Sequence, residues 1–453
     1  MNATHEVSEE RYVFKPETRN RLMILLVVGL TLFAIGTFLA MSGGGHEAEE
    51  GGHAAATVSN EMVASLNSVA EPAAAEEHHG SATWLKRIYT TLWMNNVFFT
   101  GLGIIGLFFV AIQYAAQAGW SVGVKRVALA MGHWIPIAGF LMIVLYFVVS
   151  PDVFHWTHHD LYDKAGQDYD PILDAKGVYF FWPLPNGGFP LFFIARMVVF
   201  FGLWYLFFTW IRREMLAEDA DGLTSHWEKA RYYSAIFLII FGVSSSVGAW
   251  DWVMSIDTHW FSTMMGWYVF ASWWVTGLAM ITLIVSQLKE AGYLKIVNAN
   301  HLHDLGKFVF AFSIFWTYIW FSQFMLIYYA NIPEETVYFV QRRLVSPYSW
   351  IFFANLVLNF GLPFLLLMMR DSKRHIGMLK VVCPIVVAGH WLDYYLMVTP
   401  GVMKDHGGIG LLEIGMGITF MAAFLLVTLS SLSKFPLFGK NDPMLQESLG
   451  HHI

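Results

Sequence analysis

The stretch LMILLVVGLTLFAIGTFLAM, residues 22–41, carries no charged side chain and follows Arg19 and Arg21. At 1.5 Å per residue, a helix of that length reaches about 30 Å, the thickness of a bilayer's hydrocarbon core. No small-x-small cleavage site follows it, so it reads as a first transmembrane helix and not as a removed signal. Comparable apolar runs lie near 93–115, 126–149, 188–211, 231–250, 264–287, 307–330, 348–369, 377–398 and 411–432, which makes ten spans. They are continuous and about twice the length of a barrel strand, which excludes a β-barrel. The expected fold class is all-α: a polytopic membrane protein of about ten transmembrane helices.

Composition agrees. Of 453 residues, 56% are hydrophobic and 13% charged, against roughly 25% charged in ordinary soluble domains. That imbalance excludes a water-soluble enzyme. A net charge of -7 argues against nucleic acid, whose phosphates need clustered basic residues. The single cysteine, Cys383, excludes an internal disulfide, an iron-sulfur cluster held by several thiolates, a cysteine zinc site and covalent c-haem attachment. Iron-sulfur or c-haem carriers of electrons near this protein would belong to another chain.

With the N-terminus inside, 19 of the 27 Lys and Arg fall in inner segments, seven in outer segments, and Arg196 inside the fourth span. The positive-inside rule then places both termini in the cytoplasm, consistent with an even number of spans. The chain divides into a cytoplasmic N-terminus (1–21), the first span (22–41) and an outer low-complexity loop rich in His and Glu (42–92). A first four-helix bundle (93–250), an outer Trp/Asp/His turn (251–263) and a second four-helix bundle (264–398) follow. An outer loop with the tenth span (399–432) and a cytoplasmic tail (433–453) complete it. The first and tenth helices flank the bundles. Metal binding by His46, His53, His78 and His79 is the minor reading of the outer loop; a stretch that is mobile or wrapped on a partner is the major one. A second acidic loop, 150–187, suits either solvation or docking of a basic extrinsic subunit. The fifth span ends Gly248-Ala249-Trp250-Asp251-Trp252 and the ninth contains Gly389-His390-Trp391-Leu392-Asp393, a weak echo expected of parallel four-helix repeats.

Ionisable groups at membrane depth cost a few kcal/mol each on insertion scales, so each calls for a reason. They are His133, Arg196, Asp251, His390, Asp393 and Glu413, with Asp257 and His259 just beyond the fifth span and Gln323, Asn355 and Asn359 as uncharged companions. Arg196 suits a structural clamp to a carboxylate as well as it suits a polar pocket. His133 lies one turn from Pro136, so it either bonds a carbonyl freed by the proline or relays a proton. The densest constellation is Trp250-Asp251-Trp252 through Asp257 and His259. Tryptophans alone make an interfacial belt, whereas the added carboxylates and histidine point to proton handling or an interface. His133 and His390 lack the second facing pair that a b-type haem would need.

The block Trp250-Asp251-Trp252-Val253-Met254-Ser255-Ile256-Asp257-Thr258-His259-Trp260-Phe261-Ser262-Thr263-Met264-Met265-Gly266, with the ten-span layout and the His133 span, resembles the NrfD-like (polysulfide-reductase-type) membrane subunits, in the type belonging to alternative complex III. The similarity runs from about Trp84 to near the end. It implies two four-helix bundles with flanking helices and no haem or iron-sulfur cluster in this chain. It also implies quinone or quinol binding (menaquinone or ubiquinone), or proton conduction through polar half-channels. The implied partners are a sister NrfD-like subunit, an iron-sulfur subunit, c-type cytochrome subunits and a terminal oxidase, in a bacterial inner membrane.

On this reading His133, Asp251, Asp257 and His259 are the proton acceptors or relays. Arg196, Trp250 and Trp252 line a quinone pocket, while His390, Asp393 and Glu413 mark a proton path. No metal site is expected. The function expected is that of a membrane subunit of a quinol:cytochrome c oxidoreductase. The rivals are a stand-alone secondary transporter, expected to show broken helices at mid-membrane in both halves, and a purely structural anchor.

Overall fold

A computed structural model describes residues 9–42 and 82–452. The histidines of the first outer loop lie outside the described residues. Among the described residues, ten helices are long and apolar enough to cross a membrane: α1 Pro16–Ser42, α2 Thr83–Ala115, α3 Lys125–Val153, α4 Leu191–Asp221, α5 Thr224–Ile256, α6 Met265–Glu290, α7 Ala299–Ala330, α8 Ser349–Leu366, α9 Ile376–His406 and α10 Leu411–Leu432. The protein is therefore an all-α, multi-pass membrane protein.

Helices α2–α5 pack around one another, as do α6–α9. The first helix of each group, α2 and α6, is almost wholly buried because the two groups meet along α2, α6 and α9. Helix α1 lies outside both and packs along α10, which lies against α2 and α3. Glycines permit that approach. An added Cβ at Gly29 or Gly36 would strike the α10 backbone near Thr419 or Leu412, and one at Gly415 would strike the α1 backbone near Phe33. Small residues let membrane helices gain dispersion contacts that larger side chains would block.

Several boundaries differ from the hydropathy reading. Helix α2 starts at Thr83, ten residues before its apolar run, because Trp84–Leu92 is helical but amphipathic in composition. Asp251 and Trp252 are the last residues of the regular part of α5 and precede the outer turn. Helix α3 is interrupted by a 3-10 turn at Gly132–Trp134, just before Pro136, and α8 by a π-helical turn at Val357–Gly361. The described N- and C-terminal segments meet at one end of the bundle, where the amide of Leu437 donates to the Glu10 carbonyl. We call that end inner and the opposite end outer.

Candidate functional site

Among the described residues, Asp251 and Asp393 are carboxylates with no exposed surface, and their surroundings differ. Asp251, on the fourth helix of the first bundle, faces Arg196, the sixth residue of α4. Arg196 donates from Nε and Nη2 to the two carboxylate oxygens, each at 2.8 Å, and from Nη1 to the Tyr179 carbonyl at 2.8 Å. The rings of Tyr179 and Phe192 cover its guanidinium, with centroids 4.1 and 4.5 Å away. This is a bidentate ion pair whose third nitrogen is bonded as well, an arrangement that helps a buried charge pair offset its desolvation.

Asp393, on the fourth helix of the second bundle, receives four hydrogen bonds from neutral groups. Tyr268 Oη and Asn355 Nδ2 donate to Oδ1, the latter at 2.8 Å; Ser272 Oγ and Trp316 Nε1 donate to Oδ2 at 2.9 and 3.0 Å. The donors come from α6, α7 and α8, so all three partner helices converge on one carboxyl group. Asn355 is the seventh residue of α8 and reaches Asp393 much as Arg196 reaches Asp251. Asp393 lies ten residues before the regular helix ends at Met403, about 15 Å below that end.

His390 is equally buried and stands one turn away, its Nδ1 2.9 Å from Ser272 Oγ and 3.7 Å from Asp393 Oδ2. Ser272 has one hydroxyl hydrogen and touches both groups. Either it donates to Asp393 while His390 Nδ1–H donates to it, or it donates to His390 while a protonated Asp393 donates to it. The Asp393–Ser272–His390 chain can therefore exist in two proton arrangements without moving a heavy atom. Asn359 donates to Asn355 Oδ1, and the π-helical turn in α8 begins between these two asparagines. The Nε2 atoms of His390 and Gln323 and the Oδ1 of Asn359 are buried with no hydrogen-bond partner among the described residues.

At the outer end, a cleft of about 630 Å³ opens between the short helices Pro171–Lys176 and Val178–Phe181 and the turn after α5. Trp250, Tyr179, Phe192, Trp260 and Phe261 are among its lining. Trp252 is not. It is buried against Phe201 and Trp204, and its carbonyl accepts from Trp93 Nε1 at 2.9 Å. Arg196 stands behind the cleft wall, beneath Tyr179 and Phe192.

The other sequence candidates separate. Asp257 pairs with Arg342 at 2.7 Å, and His259 Nε2 donates to Asp170 at 2.5 Å. The compact Asp251, Asp257 and His259 constellation thus resolves into three separate ion pairs. Burial acts to raise the Asp170 carboxyl, but the bond from His259 and the amides of Leu173 and Ile172 outweigh it and hold Asp170 below the ordinary aspartate range. Glu413 accepts from Arg87 Nε at 2.5 Å and Nη2 at 2.8 Å, and from the Gly410 amide at 2.7 Å. It ties α10 to α2 and stands apart from the His390–Asp393 pair. His133 sits towards the inner end of α3, against Phe208 and stacked on Phe435, with Nδ1 3.2 Å from the Ala130 carbonyl.

Sequence reasoning singled out His390, Asp393 and Asn355 but gave no special weight to Tyr268, Ser272, Trp316, Asp170 or Arg342. Their types are common in membrane helices and loops, and only the packing of α6, α7 and the outer segments brings them to charged partners. Pro400 lies two residues beyond the ninth apolar run, and only because the helix continues through it to Met403 does the Leu396 carbonyl lose its donor and call for an outside one.

These features define a polytopic helical membrane protein with a buried ionisable network in its second bundle. No known protein family matches the chain, and no curated protein is detectably similar to it.

Proposed function

We propose that this chain is an integral membrane subunit of a respiratory quinol:cytochrome c oxidoreductase, moving protons within the membrane and holding extrinsic redox subunits. The observation that carries the proton role is Asp393: a fully buried carboxyl met by four neutral donors and linked through Ser272 to an equally buried histidine. A group needed only for structure has no reason to be ionisable there, and intramembrane acids and histidines serve as proton relays in pumps and transporters. The quinol role is supported by the resemblance and by the apolar, aromatic-lined cleft at the outer end, whose size suits a ring with an isoprenoid tail. There Trp250 and Phe261 would hold the ring, with the Asp170–His259 pair nearby to take up protons. Quinol, as substrate, would give up two electrons and two protons, the electrons leaving for an iron-sulfur protein and c-type cytochromes in other chains. A sister subunit of similar fold and a terminal oxidase complete the proposed assembly. The basic inner segments support a bacterial inner membrane with both termini in the cytoplasm.

The transporter reading is weaker on geometry. The interrupted helices, α3 and α8, are the second of one bundle and the third of the other, not corresponding members. Extraction in mild detergent tests the proposal. The chain is expected to co-purify with c-haem and iron-sulfur polypeptides and quinol:cytochrome c activity, and recovery as a stable monomer that drives solute uptake would overturn it.

A further inference from the structure

Arg342 lies on the amphipathic outer helix Pro333–Leu344 and is buried, 3% exposed. It donates from Nε to the Leu396 carbonyl at 2.7 Å, and from Nη2 to the Met397 carbonyl at 3.0 Å and to Asp257 Oδ2 at 2.7 Å. The Leu396 carbonyl needs that donor, because the residue four places on is Pro400, which has no N–H. Leu396 and Met397 follow Asp393 by three and four residues, so the guanidinium binds α9 about 5 Å, one helical turn, outward of that carboxyl.

Around this cation the packing is closed. The Tyr338 ring lies 3.3 Å from the guanidinium, Trp260 stacks on Tyr338 at 3.8 Å, and Gln341 donates to the Pro400 carbonyl at 2.8 Å. Asp257 is the more exposed partner. Towards the inner end, Ser272 and Thr276 are buried one turn apart on one face of α6, and Ser286 is buried on the same face about 15 Å further along.

We infer that Arg342, paired with Asp257, is an electrostatic gate that closes the outer side of the Asp393 network to protons. A fixed cation one turn from the carboxyl repels an excess proton entering from outside, as charged constrictions do in channels that exclude protons. The Leu396, Met397 and Tyr338 carbonyls hold the guanidinium in place, with Asp257 as a further partner. This inference rests on Asp393 carrying protons, and the two are separable. Loss of quinol-driven proton release in Asp393→Asn alongside a tight Arg342→Gln would overturn the gate alone, whereas unchanged release in Asp393→Asn would remove the carrier.

The test is passive proton permeability of liposomes holding the full chain with its co-purifying subunits, read by an internal pH dye under a potassium diffusion potential. Arg342→Gln should raise the leak on the order of tenfold. Arg342→Lys keeps the charge without the fork and should stay near wild type, and Arg342→Gln with Asp393→Asn should return to the wild-type rate. A tight Arg342→Gln, an Arg342→Lys as leaky as Arg342→Gln, or a leak that persists in the double variant would overturn the gate. Asp257→Asn, which leaves the cation in place, should remain tight; a tenfold leak there would assign closure to the salt bridge and contradict the inference.

Discussion

Asp251 and Asp393 stand on the fourth helix of their respective bundles, and in each case a side chain near the outer start of the third helix reaches the carboxylate. In the first bundle that side chain is Arg196; in the second it is Asn355. The exchange of a guanidinium for an amide separates two roles. Asp251 has both oxygens bonded to a guanidinium, the geometry of a bidentate clamp. Asp393 is bonded only by neutral groups, and Ser272 links it to His390, which gives a proton somewhere to go. On the proposed function, the first bundle supplies rigidity and the second the proton chemistry.

Removing one member of the clamp should have the largest effect. Arg196→Gln leaves a buried carboxylate unpaired, at a cost of about 3–5 kcal/mol, and should prevent accumulation of the folded chain. Arg196→Met with Asp251→Leu removes both charges and should restore assembly and turnover, as judged by membrane yield and quinol:cytochrome c activity. Low turnover in a well-assembled double variant would break the contrast by giving Asp251 a chemical role.

Making the second site resemble the first sharpens the comparison. In Asn355→Arg a guanidinium beside Asp393 would favour its anion by roughly 1.4–4 kcal/mol, so proton release should fall at least about tenfold in assembled complex. Unaltered release would show that the neutrality of the partner does not matter.

A smaller effect is expected at the flank. Gly36→Leu would force α1 off α10, at about 1–3 kcal/mol, lowering thermal stability while leaving proton release per assembled complex unchanged. The smallest is the pH response of the outer loop. Because Asp170 is held below the ordinary aspartate range, its contribution to docking the loop is complete above that range, near pH 4. It is lost as pH falls through the depressed value. Hydrogen exchange over 160–180 should be flat from neutral pH down to about 5 and rise only in stronger acid, a profile that Asp170→Asn abolishes.

The fold was legible because a helix buried in lipid must be long, continuous and apolar, and those three properties are written locally in each segment. The ten spans and the inner basic bias needed no tertiary information. The site was legible only in part. Asp393 and His390 stood out as costly residues inside a span, but Asp251, Asp257 and His259, close in sequence, turned out to serve three different cations or acids. The sequence leaves Arg196 equally a clamp to an unspecified carboxylate and part of a polar pocket, and it takes the fold to pair it with Asp251; Glu413, grouped with His390 and Asp393, belongs to Arg87. Partners such as Trp316 and Arg342 lie 77 and 54 residues from their contacts, Asp393 and Leu396, and no periodicity encodes such pairings. Trp252, a neighbour of the cleft in sequence, faces the core because successive residues of a helix point about 100° apart.

The central claim is that Asp393 carries protons and Asp251 does not. Its most direct test is quinol-driven proton release from intact complex in liposomes, comparing Asp393→Asn with wild type and with the Arg196→Met, Asp251→Leu double variant at equal assembled amounts. Release lost in Asp393→Asn and retained in the double variant is the predicted result. Release retained in Asp393→Asn, or lost only in the double variant, would contradict it.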